Sequence, residues 1–174
     1  MLPLNEIDKS LPQRGTIVDL GCGEGVIANY LAQNQNRNVI GIDLNEKRLQ
    51  SSTKKNLKFQ IGDIRNYNLK NVEGVILSDV LHHINFRDQE KVLINIAKGL
   101  NKGGILVLKE IDSEELVRSK LSRFWDFVFY PTEKIYFSNP RKLSSKLKNL
   151  GFRVSIKRPL RLLPGSTTLF ICKK

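Results

Sequence analysis

Two rhythms of hydrophobic and polar positions alternate along this chain. Short β-branched runs, Ile17-Val18, Val39-Ile40-Gly41-Ile42 and Val75-Ile76-Leu77, read as strands buried on both faces. Between them, apolar residues recur every three to four positions. Val26, Ile27, Tyr30 and Leu31 predict a helix over 26–33, and Val92, Leu93, Ile96, Ala97 and Leu100 predict one over 85–100. Residues 57–61 alternate as a further strand, and residues 103–110 return as a fifth after Gly103-Gly104. Asn139, Pro140, the stripe Leu143, Leu147, Leu150 and then Gly151 supply the cap, first-turn proline and stop of a last helix. Strands at 152–156 and 168–172, joined around Leu163-Pro164-Gly165-Ser166, close the chain as a hairpin. Before all of these, Leu4, Ile7 and Leu11 make one amphipathic turn stopped by Pro12. The expected fold is therefore α/β: a doubly wound, mostly parallel seven-stranded sheet with a C-terminal antiparallel hairpin and helices on both faces, in a single domain over residues 1–174.

The first strand breaks into a glycine turn, Asp19-Leu20-Gly21-Cys22-Gly23-Glu24-Gly25. Glycines there let the backbone approach a ligand closely while the following helix offers free N–H groups. The spacing is G-x-G-x-G rather than the G-x-G-x-x-G of dinucleotide sites, and Asp19 stands two residues before it. A carboxylate there repels pyrophosphate and attracts an ammonium or sulfonium group, which argues against a nicotinamide dehydrogenase and for a cationic ligand. The second strand ends in Asp43, 22 positions after Gly21, where a βαβ site places an acid for ribose hydroxyls.

Val18-Asp19-Leu20-Gly21-Cys22-Gly23-Glu24-Gly25, with Asp43, Gly62-Asp63-Ile64 and residues 74–84 at matching spacing, resembles the class I S-adenosylmethionine-dependent methyltransferases of the small-molecule type. The resemblance covers roughly residues 12–174. It implies S-adenosylmethionine as cofactor, held by Asp19, Gly21, Cys22, Gly23 and Gly25, with Asp43 on the ribose, Leu44 against the adenine, Asp63 on the adenine amino group and the Ile64 backbone nearby. Ser78, at the end of the fourth strand, would face the same crevice. Both histidines of the chain, His82 and His83, follow that strand. An imidazole titrates near neutrality, so either could take a proton from an acceptor, or could simply order the loop.

Composition changes the picture in two places. The chain has 29 Lys and Arg against 17 Asp and Glu, a net +12, and residues 112–174 carry +9 of it. A basic last third admits RNA, an anionic membrane surface or an acidic substrate. Cys22 and Cys172 form neither a C-x-x-C pair nor a Cys/His cluster, which points away from a metal site and toward a reducing, cytoplasmic compartment. No run of residues approaches a membrane span.

Residues 113–138 are longer than a plain crossover requires. Val117, Leu121, Phe124, Trp125 and Val128 share a helical face, and the position beside a strand end predicts a lid-like insertion. Trp125, Phe129, Tyr130 and Tyr136 would then wall an apolar acceptor pocket. The expected activity is methyl transfer to a small or lipid-like acceptor. An RNA methyltransferase using the basic last third and a non-catalytic S-adenosylmethionine-binding module are the competing readings.

Overall fold

Each apolar run becomes a strand because only a β-sheet pairs its backbone while covering both faces. In the computed structural model, which describes residues 3–110, 136, 138–158 and 168–174, the strands are β1 (Gly15–Leu20), β2 (Arg37–Asp43), β3 (Leu57–Ile61), β4 (Val72–Ser78), β5 (Leu100–Glu110), β6 (Arg153–Lys157) and β7 (Thr168–Lys173). They form one seven-stranded sheet in the order β3-β2-β1-β4-β5-β7-β6. All pairs from β3 to β5 are parallel, and β7 runs antiparallel to both β5 and β6. This is the expected sheet, with its C-terminal hairpin at the edge. β7 alone runs against the others.

The period of two along each strand sorts side chains onto two cores. Ile17, Ile76 and Val107 pack with α1 (Leu4–Ser10) and α2 (Val26–Leu31) through Ile7, Ile27 and Leu31. Val18, Val75, Leu77 and Leu106 face the other side, against α3 (Phe86–Gly99) and α4 (Pro140–Asn149), whose Val92, Leu93, Ile96, Leu143 and Leu147 are buried there. Helices thus cover both faces of the sheet. Fully buried Arg37 ties α1 to the start of β2: its guanidinium donates to Pro12 O at 2.8 Å, to Asp8 O at 3.2 Å and to the Asp8 carboxylate.

The Asn139 cap falls where the sequence puts it. Asn139 Oδ1 accepts from Arg141 N and Lys142 N, with Pro140 in the first turn, and Asn85 Oδ1 accepts from Asp88 N at the head of α3. One expected core residue is misplaced: Val26 is 51% exposed. As the first residue after Gly25 it points out toward the strand ends, and Ile27, Ala28 and Leu31 make the buried stripe instead. Of the expected lid over residues 113–138, only Tyr136 and Ser138 belong to the described residues; Trp125, Phe129 and Tyr130 lie outside them. No helix among the described residues is long and apolar enough to cross a membrane.

Candidate functional site

A parallel sheet presents its carboxyl ends together, so whatever residues terminate β1 to β5 meet in one crevice. Here that crevice is a cleft of about 1070 Å³. All ten residues expected to hold the cofactor lie at or beside it, and all but Gly25 line it, along with His82, His83 and Tyr136.

The floor is the glycine turn. Gly21 N and Cys22 N both donate to Ile42 O, at 2.7 and 2.9 Å, which folds the chain leaving β1 back across the end of β2. Gly21 and Gly25 have φ of +72° and +74°. A Cβ at Gly21 would stand 2.5 Å from Val80, and one at Gly25 2.4 Å from the Phe59 ring, so both positions admit only glycine. Gly25 N donates to Cys22 O at 2.9 Å, and α2 starts directly behind it.

Asp43 locks this floor in place. Its Oδ2 accepts from Gly23 N at 2.8 Å and its Oδ1 from Asn45 N at 2.9 Å, while the carboxylate sits at the cleft wall, 7% exposed. The cap of the next turn is Asn45, which accepts from Lys47 N as its side-chain chemistry suggests, and that turn is a single 3-10 turn, Glu46–Arg48. Leu44 beside it is 64% exposed, an apolar surface facing the cleft. Asp63 is held by Arg65, whose Nε lies 2.9 Å from both carboxylate oxygens; that pairing keeps the Asp63 carboxyl below its ordinary range. The sequence reading missed Arg65.

Asp19 is the most perturbed acid of the site. It is 2% exposed, its Oδ2 has no hydrogen-bond partner among the described residues, and burial, reinforced by the nearby Asp43 charge, pushes its pKa up to about 7 against the Ala28 N–H, which lowers it. An orphaned buried carboxylate oxygen is a costly arrangement that a cationic partner relieves. In the free protein the sign of the linkage is fixed. The unfolded carboxyl titrates near 3.8 and the folded one near 7, so the folded state holds the extra proton across that window. Stability from this group is full below the unfolded value and is lost as pH rises toward about 7, with a slope approaching ~1.4 kcal/mol per pH unit. Asp19→Asn should flatten that decline when unfolding is measured between pH 4.5 and 8. An unchanged slope would show that Asp19 ionises freely in the folded protein.

Above the floor, the loop leaving β4 carries both histidines. Leu81–His83 form a 3-10 turn in which His82 is 3% exposed and His83 half-buried, their rings 4.3 Å apart. Gln89 of α3 donates to Leu81 O, Ile84 O and Tyr136 O at 2.9–3.0 Å, and Tyr136 N donates to His82 O at 2.7 Å. The Tyr136 ring meets Phe86 edge-on at 5.5 Å on the rim. Of the four aromatic residues expected at an acceptor pocket, Tyr136 is therefore at the cleft. The turn also rests on Glu110, the last residue of β5, whose carboxylate accepts from Leu81 N at 3.0 Å and lies 2.7 Å from His82 Nδ1. Glu110 and its neighbour Lys109, which is paired to Asp79, were passed over in the sequence as the end of a strand. Two charged residues closing an apolar run at the edge where ligands bind were the available signal.

Among the described residues, five carboxylates, Asp19, Glu24, Asp43, Asp63 and Asp79, line the cleft against two guanidiniums, Arg48 and Arg65. In a protein of net charge +12, the cleft is where acid is concentrated, and it favours a cation. Among the described residues no cluster of three His, Cys, Asp or Glu side chains could hold a metal ion.

A Rossmann-like sheet with an acidic, glycine-floored crevice at its carboxyl edge is the architecture of a nucleoside-cofactor domain. The particular family follows from comparison: the profile described as a methyltransferase domain matches residues 3–155, and the chain belongs to that family. A solved S-adenosylmethionine-dependent methyltransferase from Archaeoglobus fulgidus superposes with a TM-score of 0.81 at 19% identity, covering 98% of this chain and 91% of that one. Magnesium protoporphyrin IX methyltransferase from Synechocystis, solved with S-adenosylhomocysteine bound, gives 0.77 at 19% identity, over 98% and 81%. These likenesses establish the fold. Among curated proteins, the carboxy-S-adenosyl-L-methionine synthases of Shewanella sediminis and Staphylococcus epidermidis are 33% and 29% identical over 106 and 109 residues, 54% and 59% of this chain. The chain spans less than half of their length, 43% and 48%.

Proposed function

We propose that this domain binds S-adenosylmethionine and transfers its methyl group to a small or lipid-like acceptor. The observation that carries the reading is Asp19, a buried carboxylate that has an oxygen without a partner among the described residues, in a cleft where five of those residues are acids and two are guanidiniums. A ligand bearing both an ammonium and a sulfonium group suits that donor set, and an anionic dinucleotide does not. Gly21, Cys22, Gly23 and Gly25 would cradle the amino-acid end, Asp43 would accept the ribose hydroxyls, and the exposed face of Leu44 would cover the adenine, with Asp63 and Ile64 at its edge. Ser78 stands at the end of β4 between the floor and the histidine turn.

When bound, S-adenosylmethionine supplies a methyl group already activated by the positive sulfur. The work left to the protein is to hold a nucleophile in line at ~3–3.5 Å, to keep water out and, for a hydroxyl acceptor, to take a proton. His82 would take that proton; it lines the cleft in a turn held by Glu110, Gln89 and Tyr136. The aromatic rim of Phe86 and Tyr136 supports an acceptor with an apolar body.

The test has two stages. Calorimetry should give heat of binding with S-adenosylmethionine and its demethylated product and none with NAD; the reverse order overturns the reading. Mass spectrometry of turnover with an acceptor panel should then show S-adenosylhomocysteine together with a methylated acceptor. A nucleoside product heavier than S-adenosylmethionine would instead mark the activity named for the carboxy-S-adenosyl-L-methionine synthases, a second reading favoured by the 29–33% identity to them. Cofactor binding with no turnover would mark a binding module.

A further inference from the structure

We propose that Glu110 is a positioning residue for His82: it fixes the imidazole in the tautomer that carries its hydrogen on Nδ1 and stabilises the imidazolium that forms when Nε2 takes a proton. The inference deepens the methyl-transfer reading and rests on it only for the identity of what gives up that proton.

The argument starts from register. Ser78, the last residue of β4, pairs with Lys109, and Asp79 N donates to Lys109 O at 3.0 Å, so β5 outruns β4 by one residue. That extra residue is Glu110, paired on its other side with Thr168 of β7. The offset sets its carboxylate under the loop leaving β4. Glu110 is 7% exposed and His82 3%. A carboxylate is costly to bury, and a cap for the 3-10 turn would require only the Leu81 N–H, for which an amide oxygen serves as well. The second oxygen goes to the imidazole, Oε2 to Nδ1 at 2.7 Å, the length of a charge-assisted bond. An ionised carboxylate can only accept, so Nδ1 bears the hydrogen and the lone pair is on Nε2.

The surroundings of the ring have been built around the same turn. His83 stands 4.3 Å away on the turn itself, Asp79 of the same loop is paired with Lys109 of β5, Gln89 of α3 holds Leu81 O, and Tyr136 N–H holds His82 O. Gln89 and Tyr136 fix the backbone, whereas Glu110 fixes backbone and ring together. When His82 accepts a proton from an acceptor hydroxyl, that proton is on Nε2, the Nδ1 hydrogen remains, and the new positive charge faces the Glu110 carboxylate.

The chain holds only two histidines, so nitrogen-labelled imidazole spectra show two ring systems and can be read without ambiguity. In the unaltered protein, above its titration midpoint, one of the two should appear as the Nδ1–H tautomer; two Nε2–H rings would overturn the proposal with no variant needed. Glu110→Gln should lower the midpoint of that ring by about one pH unit or more, because the neutral amide no longer favours the imidazolium. Glu110→Asp, which restores the charge, should bring it back toward the parent. Midpoints that do not move in Glu110→Gln would reduce Glu110 to a turn cap. Binding of S-adenosylmethionine should be the same in parent and variants, since Glu110 does not touch the glycine floor. A parent that fails to bind S-adenosylmethionine sinks the methyl-transfer reading while leaving the spectra to judge the pair.

Discussion

Asp43→Ala is expected to weaken S-adenosylmethionine binding by ~100-fold or more, the largest single effect on the cofactor site. Two losses combine. The carboxylate would accept both ribose hydroxyls in charge-assisted bonds of ~1.5–3 kcal/mol each, of which even one is worth about tenfold or more. The same carboxylate already holds Gly23 N and Asn45 N, so its removal also releases the middle of the glycine floor. Asp43→Asn separates the two: an amide oxygen can keep one of the backbone tethers, yet it lacks the charge that strengthens bonds to the ribose. Affinity should therefore fall less with Asn than with Ala, while the unfolding midpoint of both variants stays close to the parent, because Asp43 supports the turn and not the sheet. Calorimetric titration checks the first statement and thermal denaturation the second. If Asp43→Ala binds as tightly as the parent, the ribose assignment is wrong.

His82→Ala is expected to lower turnover by ~10²-fold or more with any hydroxyl acceptor found in the panel, leaving S-adenosylmethionine affinity within about threefold of the parent. The sequence offered two histidines for this role without preference. The structure separates them. His82 is buried and held at Nδ1 by Glu110, whereas His83, half-buried beside it, lines the same cleft with its ring 4.3 Å from that of His82. The loss should appear in kcat, and His83→Ala should fall well short of it. Were both substitutions to leave turnover untouched, the imidazoles would only order the loop, and the acceptor would lose its proton to water or arrive as a free nucleophile.

How much of this was legible beforehand depends on the range of the interaction. Asn139-Pro140 and Gly151 bracket a helix because capping and chain stiffness act within a few residues, and α4 starts where they say. The run from Thr16 to Gly25 predicts a strand and a tight turn for the same reason, and β1, the turn and α2 follow in that order. Val26 failed because the helical stripe was counted from a residue whose direction is set by where the turn releases the chain. Leu44, Asp63 and Ile64 were assigned through the family resemblance and lie at the cleft, while the partner of Asp63 was not foreseen, although Arg65 is only two residues away. Exposed charged neighbours carry no pattern that separates a pairing from a solvated surface.

By itself the sequence determined the alternation of strands and helices, the glycine floor, and the set of acids placed at strand ends, because each follows from local backbone preference and from the two- and 3.6-residue periods of burial. Tertiary structure decided what those acids do to one another. Burial of Asp19 beside Asp43, with an oxygen unpartnered among the described residues, is a property of the assembled crevice and of no segment in it. The pairing of Glu110 with His82 depends on β5 extending one residue past β4. That offset is a fact of sheet register, 28 residues apart in the chain, and register is settled only when the strands pair.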